Sequence, residues 1–277
     1  MSIVRITRKI LRTVITPFEL LRLRKNENNT GPSLYTSIRR ARRVDFLDHE
    51  IAWIKKIEDQ RSQLLETDDT IKVDFSLNND PETNSDESKS ENIRDVCFAS
   101  VNSSYGSLMH RLVRDFAPKN CLELGTCLGI STAYIASALK LNGSGRLVTL
   151  EGSPSRSKYA ESILSKINLP DIDFVVGPFN QTLDPLLEEY QNIDFCYIDG
   201  HHDGDATIEY FEKISPVLTD GAIVVIDDIT WSEDMKRAWN TIREKHEVAL
   251  TVDTYMMGIC IVGKNGMERQ SYQIMYW

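Results

Sequence analysis

A chain of 277 residues, 41% hydrophobic and 26% charged, can bury one large domain with appendages or two small ones, and it lacks the bias of a fibrous or low-complexity protein. Its net charge of −9 argues against nucleic acid as a partner, and no run of 18 apolar residues offers a membrane span. The five cysteines (Cys97, Cys121, Cys127, Cys196, Cys260) are odd in number and lack CxxC spacing, which points to reduced core thiols, a cytoplasmic setting and no zinc site.

The charge is unevenly spread. Residues 1–43 hold 11 Lys+Arg against 2 Asp+Glu, net +9, while residues 44–277 hold 21 against 39, net −18. The first segment, 1–43, is therefore basic. Within it residues 3–16 form a helical-wheel pattern, with Arg5, Arg8, Lys9 and Arg12 on one arc and Ile3, Ile6, Ile10, Leu11, Val14 and Ile15 on the other. Arg12 breaks any signal-peptide core. The apolar face suits a peripheral contact with an anionic membrane, a second copy in a homodimer, or the body of its own chain.

Residues 44–93 read as a helical extension ending in a flexible acidic linker. A helix is expected over 46–65, with Leu47, Ile51, Ile54 and Ile57 on one side; NNDPETNSDESKSEN (78–92) is expected to be loop. The main domain, 94–277, opens with a helix over 102–116. Short apolar runs follow at 120–124, 147–151, 172–176, 193–198 and 222–226, separated by helical stretches at 131–141, 155–167 and 205–217. Ser153-Pro154 is a sound helix start, serine as N-cap and proline at N1. After a helix at 232–246, VALTVD, GICIV and YQIMY lie too close together for crossover helices and are expected as antiparallel edge strands. The fold class is α/β: a doubly wound, Rossmann-like, mostly parallel sheet with an antiparallel C-terminal edge and a helical N-terminal extension.

In such sheets ligands bind beyond the carboxyl ends of the strands. The first strand exits through Glu123-Leu124-Gly125-Thr126-Cys127-Leu128-Gly129-Ile130-Ser131. Gly125 permits a tight turn and close ligand approach, and Gly129 close packing. Glu151, ending the second strand, is placed to bind a ribose diol. The pattern is ExGxxxG rather than the GxGxxG of dinucleotide sites, and Glu123 favours a cationic ligand over a pyrophosphate.

LELGTCLGISTAYIA followed by LVTLEGSP resembles the cofactor site of class I S-adenosylmethionine-dependent methyltransferases, in particular the catechol O-methyltransferase branch. The resemblance covers roughly residues 95–277. It implies that the Gly125 turn lies against the methionine part, that Ser131 binds its carboxylate, that Glu151 takes the ribose hydroxyls, and that Phe179 and Asn180 lie near the adenine.

Asp199 follows the fourth strand, and Asp227-Asp228 follow the fifth. Three carboxylates at neighbouring strand ends repel one another, and a hard cation such as Mg²⁺ relieves that repulsion. Adjacent strand residues point to opposite faces, so both members of the pair converge only if the chain bends there. The resemblance to catechol-type and macrocin-type (sugar) enzymes implies Mg²⁺ at Asp199, Asp227 and Asp228, the second Asp of the pair leaning towards the sugar-modifying branch. Those families place a proton acceptor two or three residues beyond the first Asp, as aspartate or lysine; here His201 and His202 stand instead, His201 narrowly favoured as base. Tyr105, Trp231 and Met235 are candidates for the substrate wall, though packing is the commoner role for such residues.

The reading is a Mg²⁺-assisted S-adenosylmethionine-dependent O-methyltransferase acting on a small-molecule vicinal diol (sugar, polyketide or phenol). The alternatives are a metal-independent methyltransferase in which Asp199 orients the cofactor, and a non-catalytic cofactor-binding scaffold.

Overall fold

The computed structural model describes residues 14–27, 30–73, 89–169, 171–263 and 269–276. In chain order the elements are α1 (Thr16–Arg24), α2 (Thr30–Arg42), α3 (Asp48–Glu66), β1 (Thr70–Val73), β2 (Lys89–Asn92), α4 (Ile93–Ala99), α5 (Ser103–Phe116), β3 (Asn120–Leu124), α6 (Ile130–Asn142), β4 (Arg146–Glu151), α7 (Pro154–Lys166) and β5 (Ile172–Val176). They continue with α8 (Phe179–Glu189), β6 (Ile193–Ile198), α9 (Gly204–Ile214), β7 (Leu218–Ile226), α10 (Glu233–Arg243), β8 (Val248–Asp253), β9 (Gly258–Val262) and β10 (Gln270–Gln273). The fold is α/β and doubly wound: parallel strands alternate with helices, and antiparallel strands close the C-terminal end. Two compact units make up the chain, Phe46–Tyr190, and Met1–Asp45 together with Gln191–Trp277. The units meet at 45/46 and at 190/191.

In the unit Phe46–Tyr190, β3, β4 and β5 run parallel, pairing Leu122 with Val148 and Thr149 with Phe174. Four of the five β3 residues and five of the six in β4 are buried, as expected of parallel strands covered on both faces. The Ser153 hydroxyl caps α7 by accepting the Arg156 N–H at 3.2 Å.

Two expectations in this unit need correction. Of the expected side Ile57 is buried and Ile54 half-buried, but Leu47 and Ile51 are exposed, and α3 buries Glu50, Gln60 and Leu64 beside Ile57. The rotation follows from charge: Glu50 accepts from Arg111 Nη2 at 2.8 Å and Arg114 Nε at 3.1 Å, so an acid rather than an isoleucine faces inward. Part of the expected linker is a strand, since β2 (KSEN) pairs antiparallel with β1. Residues 78–88, the rest of that stretch, lie outside the described residues.

In the other unit, β6 and β7 are parallel, with Cys196 opposite Val224; β7 pairs antiparallel with β9, and β9 antiparallel with β8. The third C-terminal strand departs from expectation: β10 pairs parallel with β8. Both edges of β9 are taken by β7 and β8, so the chain leaving β9 can only add to the outer edge of β8, running in its direction. The helices α1 and α2 bury Leu23, Leu34 and Ile38, and the Thr16 hydroxyl accepts the Met275 N–H at 2.9 Å. Of the basic amphipathic stretch 3–16, residues 3–13 lie outside the described residues. Among the described residues no helix is long and apolar enough to cross a membrane.

Candidate functional site

Two groups of residues, one in each unit, occupy the loops that follow parallel strands. In the first, the chain leaves β3 through Gly125 at φ 108° and enters α6 through Gly129 at φ 80°, both in the left-handed region glycine tolerates. A Cβ on Gly129 would stand 3.1 Å from Leu164 and 3.2 Å from Ala160, so this glycine also seats the loop against α7. Between them Cys127 holds φ 50°, a conformation costing a non-glycine residue about 1–3 kcal/mol.

Glu151 fixes that conformation. Its Oε2 accepts the Cys127 N–H at 2.8 Å and its Oε1 the Ser153 N–H at 2.9 Å, tying the end of β4 to the β3–α6 loop. Glu123 lies completely buried, with Oε2 accepting from the Thr132 hydroxyl at 2.6 Å and the Thr149 hydroxyl at 2.7 Å. Burial drives its carboxyl pKa up, against hydrogen bonds from Ser131, Thr132 and Thr149. Ser131 is thus engaged with Glu123. Oε1 of Glu123 is buried with no partner, an acceptor left over. The donor set suits a ligand bringing hydroxyls to Glu151 and an ammonium towards Glu123. Phe179 is buried at the start of α8, and Asn180 is exposed beside it.

In the second group, β6 delivers Asp199 and β7 delivers Asp227 and Asp228. The chain does bend at the pair: Asp228 has φ 52°. Tyr197, on the same face of β6 as Asp199, donates its hydroxyl towards Asp199 Oδ2 at 3.1 Å and also meets Asp227 Oδ2. Asp227 Oδ1 accepts the Asp228 N–H at 2.9 Å, so both oxygens of this buried carboxylate are occupied. Burial, then the neighbouring Asp228 charge, pushes the Asp227 pKa up; burial does the same to Asp228, against the pull of His202.

His201 and His202 both have positive φ, 69° and 48°, and diverge. His201 Nδ1 lies 2.6 Å from the Tyr210 hydroxyl, and burial lowers its pKa, against Asp203. His202 turns to the acids, Nδ1 3.3 Å from Asp228 Oδ2 and Nε2 3.9 Å from Asp199 Oδ1. One ligand atom each from Asp199, His202 and Asp228 all fall within 4.8 Å of one another. A pair of oxygens and an imidazole nitrogen at that spacing fits a divalent cation. Asp203 caps α9, and Gly204, whose N–H donates to Asp234 Oδ2 at 2.6 Å, pins the imidazole loop; a Cβ there would strike Asp234.

Sequence reading named the acids, the histidines and Glu151, but missed Tyr197, Tyr210 and Asp234. Tyr197 carried a signal, being two residues before Asp199 on one strand face. Of the candidate wall residues, Tyr105 and Met235 are buried packing, while Trp231 is 72% exposed with its ring 6.1 Å from that of His202.

Residues 122–229 match a family described as a methyltransferase domain. In fold and in sequence this stretch is similar to S-adenosylmethionine-dependent O-methyltransferases. A catechol O-methyltransferase of Niastella koreensis is 32% identical over 132 residues, 47% of this chain and 58% of that one. Caffeoyl-CoA O-methyltransferase 1 of Eucalyptus globulus is 25% identical over 130 residues, 46% of this chain and 51% of that one. The chain thus spans between half and three fifths of the length of these relatives. An O-methyltransferase from Bacillus cereus, crystallised in complex with SAH, matches with a TM-score of 0.52 at 25% identity, covering 61% of this chain and 84% of that one. The methyltransferase match ends just beyond Asp228, so it takes in both groups of residues.

Proposed function

We propose that this protein is an S-adenosylmethionine-dependent O-methyltransferase that acts, with a divalent cation such as Mg²⁺, on one hydroxyl of a vicinal diol in a sugar, polyketide or phenolic small molecule. The observation that carries the reading is the strand-end acid Glu151 clamped to the glycine loop inside a matched methyltransferase domain. The catechol and caffeoyl-CoA names of the relatives support an oxygen acceptor, and the SAH complex of the Bacillus cereus protein supports the donor.

S-adenosylmethionine would supply an electrophilic methyl group on a sulfonium, and the cation would lower the pKa of a bound hydroxyl. The chain's own residues do the rest. Glu151 would hold the ribose hydroxyls and Glu123, from beneath the loop, would favour the ammonium side, with Gly125 giving room for the approach. Phe179 and Asn180 border the adenine. Asp199, Asp227 and Asp228 supply the cation's anionic surroundings, Tyr197 spacing the first two. His201 accepts the hydroxyl proton: when Nδ1–H donates to the Tyr210 oxygen, Nε2 keeps its lone pair for that task. Alignment of acceptor and methyl group then accounts for most of the acceleration.

The test is calorimetric titration with S-adenosylmethionine, with and without Mg²⁺, followed by methyl transfer to a panel of vicinal diols under a chelator. Cofactor binding with chelator-sensitive transfer is the expected result. Transfer that survives both chelation and Asp227→Ala would establish a metal-independent enzyme, and binding with no product on any acceptor a cofactor-holding scaffold.

A further inference from the structure

The acid group is expected to hold Mg²⁺ through oxygens alone, but its geometry places a nitrogen among them. Asp199 and Asp228 flank His202 from two sides, with its Nδ1 3.3 Å from one carboxylate and its Nε2 3.9 Å from the other. Taking one ligand atom from each residue, a single His202 nitrogen and one oxygen of Asp199 and of Asp228 lie within 4.8 Å of one another; donor atoms around an ion at about 2.0–2.2 Å stand roughly 3–4 Å apart, a spacing that a small turn of the exposed ring reaches. Asp227 is set differently: it is buried, and each of its oxygens already has a hydrogen bond, from Tyr197 and from the Asp228 amide, which makes it a brace for its neighbours. The two histidines have separate settings as well. His201 is paired with Tyr210, their ring centres 5.8 Å apart, whereas His202 has the Trp231 ring beside it and the two acids around it.

We propose that His202 is a protein ligand of the cation, completing with Asp199 and Asp228 a two-carboxylate, one-imidazole set that selects a first-row transition ion over Mg²⁺. The inference rests on the reading that this group binds a divalent cation. Mg²⁺ takes hard oxygen donors and gains little from an imidazole, while Mn²⁺, Co²⁺ and Zn²⁺ accept nitrogen readily and rise in affinity along that series. The side chain of His202 is 46% exposed, so the ring can follow an ion without repacking the core.

The test uses the full chain and metal ions alone, with no cofactor or substrate. Mg²⁺, Mn²⁺ and Co²⁺ are titrated by calorimetry into the wild type, His202→Gly, His202→Asp and His201→Gln. Glycine suits the φ of 48° at this position, so the first variant removes the ring and relieves strain together. Wild type should bind Co²⁺ at least tenfold tighter than Mg²⁺. His202→Gly should lose tenfold or more in Co²⁺ affinity with little change for Mg²⁺, and His202→Asp should move the preference back towards Mg²⁺. Pulsed electron paramagnetic resonance of the Mn²⁺ complex should show a directly bound imidazole nitrogen that persists in His201→Gln and vanishes in His202→Gly. Equal Co²⁺ affinity in wild type and His202→Gly, or no nitrogen coupling in wild type, overturns the proposal while leaving an oxygen-only cation site standing. Failure of every ion to bind the wild type removes both the proposal and the metal-assisted reading beneath it.

Discussion

Replacing Glu151 by glutamine should weaken cofactor binding far more than it weakens the fold. The carboxylate accepts two backbone N–H groups, from Cys127 at 2.8 Å and Ser153 at 2.9 Å, and so holds Cys127 at φ 50°. Glutamine keeps one oxygen. Its NH₂ must then face one of the two amides, donor against donor, and that bond is lost. A hydrogen bond to a charged group contributes about 1.5–3 kcal/mol, comparable to the strain it offsets at Cys127. At 1.4 kcal/mol per decade the expected loss is about 10- to 100-fold in affinity for S-adenosylhomocysteine, measured by calorimetry. Thermal unfolding read alongside separates a loosened loop from a damaged core. Combining the change with Cys127→Gly, which removes the strain, should recover part of the affinity. An affinity within twofold of wild type in a well-folded Glu151→Gln protein would refute the reasoning, since the loop would then hold its shape without the clamp.

Two predictions concern stability. His110 is fully buried, and burial lowers its pKa from 6.5 to about 4. A depressed histidine is protonated in the unfolded chain first, so stability is intact above pH 6.5 and falls as pH drops towards 4, by about 3 kcal/mol in all. Denaturant unfolding at pH 7 and pH 4.5 should show this loss in the wild type and a smaller one in His110→Gln; equal losses would rule it out. Glu50→Gln takes from Arg111, whose side chain is 2% exposed, the nearer of its two carboxylates and leaves it Asp115 at 3.4 Å. The variant should lose about 3–5 kcal/mol and melt about 10 °C lower, against near-wild-type melting if the pair is dispensable.

The parallel part of the sheet was legible because parallel strands are buried on both faces and so read as unbroken apolar runs. NCLEL and IDFCYI are such strands at the residues expected, IDFVV is a strand at the expected residues although only its Ile172 is buried, and the acids at the exits of β4, β6 and β7 stood out against those runs. Elements with weak patterning were not legible. The KSEN of β2 pairs with β1 alone and has no core to impose alternation. The inward turn of α3 depends on Glu50 meeting two arginines more than 60 residues away, which no local periodicity can announce. Likewise, one histidine pairing with Tyr210 and the other with the acids depends on backbone angles at 201 and 202, not on residue type.

Those angles separate strained positions that serve the site from those that serve the fold. Positive φ also occurs at Ala117, which ends α5, and at Asn168 just beyond α7, where a left-handed residue closes a helix. At such places glycine or asparagine would serve as well. Cys127, His201, His202 and Asp228 differ, because each lies in a loop following a strand, and the side chains of the last three are turned to specific partners. Glycine would lower the strain at all four, by about 1–3 kcal/mol each. At 201, 202 and 228 it would also delete the imidazoles and the carboxylate. At these positions the conformational cost is thus borne by side chains with specific partners, Tyr210 for one histidine and the two acids for the other.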